Sequence, residues 1–156
     1  MRRRRAPQRV ILADPVYRST IVSKFINMVM SDGKKSKAET IVYGAFEIAK
    51  KNLNEPDAMK IFNKAIENAR PRLEVKPRRV GGATYQVPIE VRSDRGTSIA
   101  LRWMRDFAQN KKGKPMDQKL ADEIIAAFKG EGSAIKKRDD THKMAEANKA
   151  FAHFRW

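Results

Sequence analysis

The sequence predicts a mainly α-helical fold, in which about six helices form one helical domain with a protruding β-hairpin, a basic N-terminal arm and a basic C-terminal helix. The first observation is that apolar residues recur at helical spacing in successive segments along most of the chain. The second is that one stretch, Leu73 to Arg92, alternates with a period of two around the pair Gly81-Gly82. Because 156 residues is a common length for one domain, we expect residues 1–156 to form a single unit.

The composition limits the classes of function. The chain carries 34 Lys and Arg against 18 Asp and Glu, and its net charge of +16 favours a polyanionic partner. A membrane surface is the competing polyanion, but no apolar run approaches the roughly 18 residues that would predict a transmembrane helix, and no signal peptide is evident. The absence of cysteine excludes disulfides, thiolate nucleophiles and cysteine-ligated zinc, and His142 and His153 are the only histidines. We therefore expect no catalytic residue, no metal site and no cofactor.

Residues 1–19 predict a flexible basic arm that becomes ordered on a polyanion. Prolines interrupt the arm, and no helical period appears in it. The alternative interpretation is a solvated, disordered tail. The arm opens with Arg2, Arg3, Arg4 and Arg5, and Arg9 follows.

The first helix is predicted from one apolar face, which Ile21, Val22, Phe25, Ile26 and Val29 form. Gly33 is expected to be its C-cap, and the loop that follows exposes Lys34 and Lys35. The GKKS of this loop resembles a fragment of a phosphate-binding loop. The match fails, because Met28 replaces the first glycine, Lys35 replaces Ser or Thr, and no strand precedes it.

Two further helices are predicted before the hairpin. Ser36 and Glu39 have the spacing of a capping box at the start of the second helix. The break from Asn54 to Asp57 separates the second helix from the third, which Pro71 ends. Because the connection is short, we expect the two helices to be antiparallel.

The hairpin places Gly81 and Gly82 at its bend, since glycine adopts positive φ without steric cost. A two-residue loop would place Val75 opposite Pro88, and the apolar residues of the two strands would then lie on opposite faces. We therefore predict a longer, irregular tip that aligns the two apolar sets. Lys76, Arg78 and Arg79 make the ribbon basic, which suits insertion into nucleic acid; the alternative is a solubilising hairpin with charged edges.

The fourth and fifth helices follow. Ser93 or Asp94 is expected to cap the fourth, whose apolar face includes Trp103 and Met104. A basic loop, Lys111 to Lys114, precedes Pro115 and the fifth helix, and Gly130 lies just past its end.

The last segment, residues 133–156, predicts a basic helix with a thin apolar stripe and an aromatic tail. Arg138, His142 and Lys149 fall close together at about 100° per residue, and Lys136 and Lys143 form a neighbouring row. The alternative is a surface helix with internal ion pairs. The tail mixes rings with cations that would stack on bases or pair with phosphate, and it comprises Phe151, His153, Phe154, Arg155 and Trp156. The alternative is that Phe154 and Trp156 pack against the domain.

Three long blocks, Ser31 to Tyr43, Val75 to Arg92 and Lys136 to Trp156, resemble the bacterial small-subunit ribosomal protein seven family. The resemblance implies a helical domain with a β-ribbon that binds the 3′ major domain of small-subunit ribosomal RNA and nucleates assembly of the head. It also implies a position at the subunit interface, near the exit-site transfer RNA and the messenger RNA path. Small-subunit proteins nine and eleven are the implied neighbours. The implied location is the cytoplasmic small ribosomal subunit, with an organellar ribosome still open.

The expected contacts fall into two sets. Residues expected to bind RNA are Arg2, Arg3, Arg4, Arg5, Arg9, Lys34, Lys35, Lys76, Arg78, Arg79, Arg92, Arg95, Arg102, Lys114, Lys136, Lys137, Arg138, His142, Lys143, Lys149 and Arg155. Residues expected to approach the exit-site transfer RNA or messenger RNA are Arg79, Gly81, Gly82, Thr84, Tyr85, Lys143 and Asn148.

Two rival functions remain open from the residues alone. A basic ribbon can also grip duplex DNA, as architectural proteins do. A nucleic-acid enzyme is disfavoured, because no carboxylate cluster accompanies a histidine or a glycine-rich phosphate loop.

Overall fold

The computed structural model describes Ala6 and residues 9–154. These residues form six α-helices, a two-stranded antiparallel hairpin and a C-terminal 3-10 helix, so the predicted mainly α class is confirmed. The elements are α1 (Thr20–Val29), α2 (Lys35–Leu53), α3 (Ala58–Ala69), β1 (Leu73–Val80), β2 (Ala83–Glu90), α4 (Ser93–Asn110), α5 (Met116–Lys129), α6 (Ser133–Ala147) and the 3-10 helix (Lys149–Phe154).

The core forms where the apolar stripes of the helices meet. Helix α5 packs against α2, α3 and α4, and its Leu120 and Ile124 are fully buried. The Phe62 ring lies 5.2 Å from the Phe25 ring and 5.0 Å from the Phe46 ring, measured between centroids. Each fully buried side chain of this size contributes roughly 1.5–3 kcal/mol. The helical body is therefore a stable support for the exposed elements.

Several predicted helix ends are confirmed. Asp57 Oδ1 accepts a 2.8 Å hydrogen bond from the Met59 N–H and so caps α3. Helix α3 ends at Ala69, two residues before Pro71. Gly130 adopts φ 81° after α5, and its N–H donates to carbonyls of the last turn. At each of these ends, one nearby residue, Asp57, Pro71 or Gly130, begins or ends the helix.

Three predicted caps are wrong. Helix α2 begins at Lys35, one residue before Ser36, because the Lys34 and Lys35 N–H groups bond to Ser31 and Gly33 and start the turn early. The capping box therefore does not form. Helix α4 follows Arg92 as its N-cap residue, and Ser93 Oγ accepts a 3.0 Å bond from Arg70 Nη1 instead. Helix α1 ends at Val29 with Met30 as C-cap, so Gly33 serves the following loop.

The predicted irregular hairpin tip is also wrong. Val80 lies opposite Ala83 and Val75 opposite Pro88, so the connection is the two residues Gly81-Gly82. Their φ values of 57° and 91° are both positive, as a tight type I′ turn requires.

This register places the apolar residues of β1 and β2 on opposite faces of the ribbon. The two sets do not need to meet, because each strand has its own contact with the C-terminal segment: α6 packs against β1, and the 3-10 helix packs against β2. Val87 is fully buried as a result. The prediction failed because it assumed that the ribbon buries only one face.

Within the described residues, no helix is both long and apolar enough to cross a membrane.

Candidate nucleic-acid interface

Part of the predicted interface lies outside the described residues. This part comprises Arg2, Arg3, Arg4, Arg5, Arg155 and the tail residue Trp156. Arg9, the one arm residue among the expected RNA contacts that the structure describes, is exposed.

The chain after Arg9 is fixed to the helical body at Asp14. This carboxylate is 2% exposed and accepts hydrogen bonds from the Val16 and Tyr17 N–H groups at 3.1 and 2.9 Å. Its second oxygen accepts a 2.6 Å bond from the Tyr43 hydroxyl, whose pKa is raised by burial and by Asp14. Sequence reasoning missed Asp14, although Asp-Pro is a recognised turn signal. Through Tyr43 of α2, these bonds hold the segment just before α1 against the helical body.

The loop between α1 and α2 exposes Lys34 and Lys35. Lys34 lies 3.6 Å from Asp32, Lys35 lies 3.8 Å from Glu39, and both lysine side chains are more than half exposed. Exposed pairs of this kind contribute only ~0–1 kcal/mol, so a phosphate can replace the carboxylate at little cost.

The base of the hairpin is held by an ion-pair cluster on Glu74. Arg95 Nε donates to the Glu74 carboxylate at 2.9 and 3.0 Å, and Lys76 lies 3.6 Å away from it. The hydrogen bond and the charge of Glu74 raise the pKa of Arg95. Arg95 therefore ties the start of α4 to β1 and sets the direction of the ribbon.

The tip of the ribbon is basic and exposed, as predicted. Arg78, Arg79, Thr84 and both turn glycines are exposed there. Tyr85 is half-buried, because its ring packs on the rings of Phe151 and Phe154, each with a 5.1 Å centroid separation. Of the two interpretations of the aromatic tail, packing against the domain holds for Phe154, and Phe151 packs against Tyr85 as well.

Helix α6 separates into a body-facing set and an exposed set. Arg138 donates to the Asn68 carbonyl and pairs with Asp139, and His142 Nε2 accepts a 2.9 Å bond from the Arg72 N–H. Burial, followed by the charge of Arg138, lowers the pKa of His142. The exposed cations of α6 are Lys136, Lys137 and Lys143, and Lys149 is exposed at the start of the 3-10 helix. Within the predicted row, Arg138 and His142 therefore make hydrogen bonds to neighbouring elements, whereas Lys149 is exposed.

The remaining predicted contacts are dispersed. Arg92 and Arg102 are exposed at the start and on the side of α4. Lys114 pairs with Asp122 at 2.9 Å, and the half-buried Asn148 donates from its side chain to the Met144 carbonyl.

An ion pair that the sequence did not reveal joins Lys111 to Glu123. Lys111 Nζ lies 2.7 Å from Glu123 Oε1, and the Glu123 side chain is 2% exposed. The helical period alone does not predict that Glu123 is buried, because a charged residue is expected on the outer face of a helix. The pair fastens the basic loop to α5.

Chemically, the exposed Lys and Arg side chains can donate hydrogen bonds to phosphate oxygens. Across residues 9–154 and Ala6, no group of three or more His, Cys, Asp or Glu side chains could hold a metal ion. Among the described residues, exposed cations cluster at the α1–α2 loop, on the hairpin and on α6, and others lie on α4 and in the loop before α5; the helical body connects these elements.

A family model and three known proteins to which this chain is similar all indicate one family. A family model described as ribosomal protein S7p/S5e matches residues 1–149. The chain is 60% identical to the small ribosomal subunit protein uS7 of Thermotoga neapolitana, with all of both chains covered. It is 57% identical to the protein of that name from Acidithiobacillus ferrooxidans, with 99% of each chain covered. A third relative of that name, from Anaeromyxobacter, is 56% identical over 99% of each chain.

Proposed function

This chain belongs to the ribosomal protein S7p/S5e family and is a structural constituent of the small ribosomal subunit, and we propose that it binds the subunit's RNA directly. The proposed site is the 3′ major domain, where the protein nucleates assembly of the head. Residues 1–156 act as a single RNA-binding domain in this proposal. The resemblance also favours a position at the subunit interface beside the exit-site transfer RNA and messenger RNA, with small-subunit proteins nine and eleven as neighbours.

The observation that carries the proposal is the placement of exposed cations on separate elements of one helical body. The cations on the α1–α2 loop, the hairpin and α6 project from elements that are fixed to the helical body. Glu74 fixes the base of the hairpin to α4 through Arg95, and His142 joins α6 to the hairpin through the Arg72 N–H. Folded RNA is recognised largely by shape, through phosphates and 2′-hydroxyls at defined separations. Cations at fixed separations can therefore select one RNA junction over unstructured RNA.

The proposed mechanism is an exchange of ionic partners. Asp32 lies 3.6 Å from Lys34, and Glu39 lies 3.8 Å from Lys35. RNA phosphates would replace these two carboxylates as the partners of the lysines. Each neutralised phosphate releases a condensed counterion, and this release supplies a large share of the affinity. At the tip, Gly81 and Gly82 have open space where a Cβ would lie, which allows close approach of an RNA backbone.

The proposal is tested by replacing both Arg78 and Arg79 with Ala. We expect affinity for a folded transcript of the 3′ major domain to fall about tenfold, equivalent to ~1.4 kcal/mol, with no change in thermal unfolding. Fluorescence anisotropy at constant salt provides the measurement. The matched control is the double replacement of Lys51 and Lys129, which are exposed cations outside the predicted contacts.

Unchanged binding by a folded Arg78→Ala, Arg79→Ala protein would remove the hairpin from the interface. Equal affinity of the unaltered protein for duplex DNA and for the transcript at the same salt would favour the DNA-architectural alternative.

A further inference from the structure

We propose that the groove between the base of the hairpin and α6 binds one unpaired RNA nucleotide, with its base in an apolar cavity and its phosphate in an adjacent cavity lined by guanidinium groups. This inference rests on the proposed RNA-binding function and assigns a specific site to it.

The first cavity has a volume of about 520 Å³, within the ~300–1,000 Å³ typical of ligand sites. Its apolar walls are Leu73 and Pro88 from the hairpin, and Ala145 and Ala152 from the C-terminal segment. Aliphatic side chains thus come from both the hairpin and the C-terminal segment, and a planar base has apolar faces and polar edges. The lining therefore offers an apolar surface on which the face of a nucleobase can pack.

The polar groups of the first cavity include Glu90, Glu146 and Lys149. A carboxylate accepts hydrogen bonds from the exocyclic amino groups of cytosine, adenine and guanine. Uracil has no such group. The lining therefore favours bases with an amino group.

The second cavity has a volume of about 440 Å³ and a polar lining. Arg70, Arg72 and Arg138 contribute guanidinium groups, which outnumber the carboxylates of Glu67 and Asp139. Arg138 already engages Asp139 at 2.6 Å. Arginine suits phosphate, because its planar group donates two parallel hydrogen bonds to adjacent oxygens.

The two cavities share Arg72 and His142 in their linings. The 2.9 Å hydrogen bond between these residues uses the backbone N–H of Arg72, so the Arg72 side chain is not committed to it. An apolar cavity beside a cationic one reproduces the order of base and phosphate in a nucleotide. The exposed Lys143 on α6 and Lys149 on the 3-10 helix extend the cationic surface for flanking phosphates.

The test is photo-crosslinking of a hexacytidylate RNA that carries one central 6-thioguanosine, with the crosslinked peptides identified by mass spectrometry. We expect the main crosslinks at Leu73, Pro88 or residues 142–152. Crosslinks confined to the hairpin tip would overturn the proposal.

Two variants sharpen the test. Ala152→Leu enlarges an exposed side chain of the cavity wall and should reduce this crosslink at least fivefold, the equivalent of ~1 kcal/mol per bound base. Ala150→Leu is the matched control, because Ala150 is exposed on the same 3-10 helix and does not line the cavity. Arg72→Gln tests the phosphate cavity and should reduce the crosslink similarly. Equal yields from Ala152→Leu and Ala150→Leu would contradict the base site.

Binding of the folded 3′ major domain transcript separates the two proposals. If the unaltered protein binds the transcript but gives no crosslink in the groove, the nucleotide site is wrong and the proposed function stands. If it binds neither RNA, the proposed function fails as well.

Discussion

A single carboxylate, Asp14, holds the start of the folded chain through hydrogen bonds to two backbone N–H groups and the Tyr43 hydroxyl. Asp14→Ala would leave all three donors without this acceptor in a part-buried site. We expect the variant to lose about 1–3 kcal/mol of unfolding free energy in urea titrations. Tyr43→Phe removes only one of the three bonds and should cost less. Equal midpoints for Asp14→Ala and the unaltered protein would show that the anchor contributes no stability.

His142 gives stability a predictable dependence on pH. Burial and the charges of Arg138 and Arg72 lower its pKa in the folded protein, while Asp139 opposes them. The unfolded chain therefore binds the proton more tightly than the folded one. The stabilisation by the neutral ring is present above the unfolded pKa of about 6.5 and is lost as pH falls from there towards the folded pKa.

The corresponding experiment compares the unaltered protein with His142→Gln in urea titrations at several pH values. We expect the stability difference between them to shrink as pH falls from 7.5 to about 5.5, through the unfolded-state pKa. His153→Gln is the matched control, since the His153 ring contacts Phe154 and the Ala150 carbonyl rather than the hairpin. A difference that stays constant over this range would contradict the neutral role of His142.

At the scale of elements, the tight turn depends on positive φ at both of its central residues, Gly81 and Gly82. Gly82 has φ 91°, where a Cβ is strained, so Gly82→Ala should destabilise the hairpin by roughly 1–2 kcal/mol. Because the ribbon is exposed, faster hydrogen exchange of the β1 and β2 amides is the appropriate measurement. Gly81→Asn is the control, since Asn-Gly is favoured in this turn type. Equal exchange in the two variants would contradict the assigned turn.

Helices were predictable because their signal repeats. In α3, Ile61, Phe62, Ala65, Ile66 and Ala69 all report the same buried face, and each is buried in the structure. A cap depends on one or two residues, and a neighbouring bond can displace it, as happened at Ser36 and Ser93. Single-residue signals therefore fail where repeated ones succeed.

The hairpin register shows a different limit. The glycines alone were sufficient to place the turn, yet the expectation of a matched apolar face led away from the two-residue loop. The missing information was long-range: Tyr85 meets Phe151 and Phe154, more than 60 positions later. Local periodicity cannot reveal which distant segment covers a strand.

At the scale of the whole molecule, the same limit applies to the candidate interface. Composition and clustering predicted exposed cations in the loop, the hairpin and α6, and Lys34, Arg79 and Lys143 are exposed in the structure. Helical geometry placed Arg138 and His142 in one row, but it could not tell which way that row faces. Only the packing of α6 on α3 and β1 decides that Arg138 bonds to Asn68 and His142 to Arg72, beside the groove at the base of the hairpin.

If the exposed cations bind RNA as one surface, affinity should depend steeply on salt. Contact with about 6–10 phosphates predicts a loss of roughly 10³–10⁵ in affinity for the folded transcript between 50 and 200 mM salt. Replacing Arg78 and Arg79 with Ala should lower the magnitude of the slope of log affinity against log salt by about two, one for each lost phosphate contact. His142→Gln should leave the slope unchanged at pH 7.5, because the ring it replaces is neutral there. An unchanged slope in the double arginine variant, or a lowered slope in His142→Gln, would contradict this division between the cations that meet RNA and the residues that hold them in place.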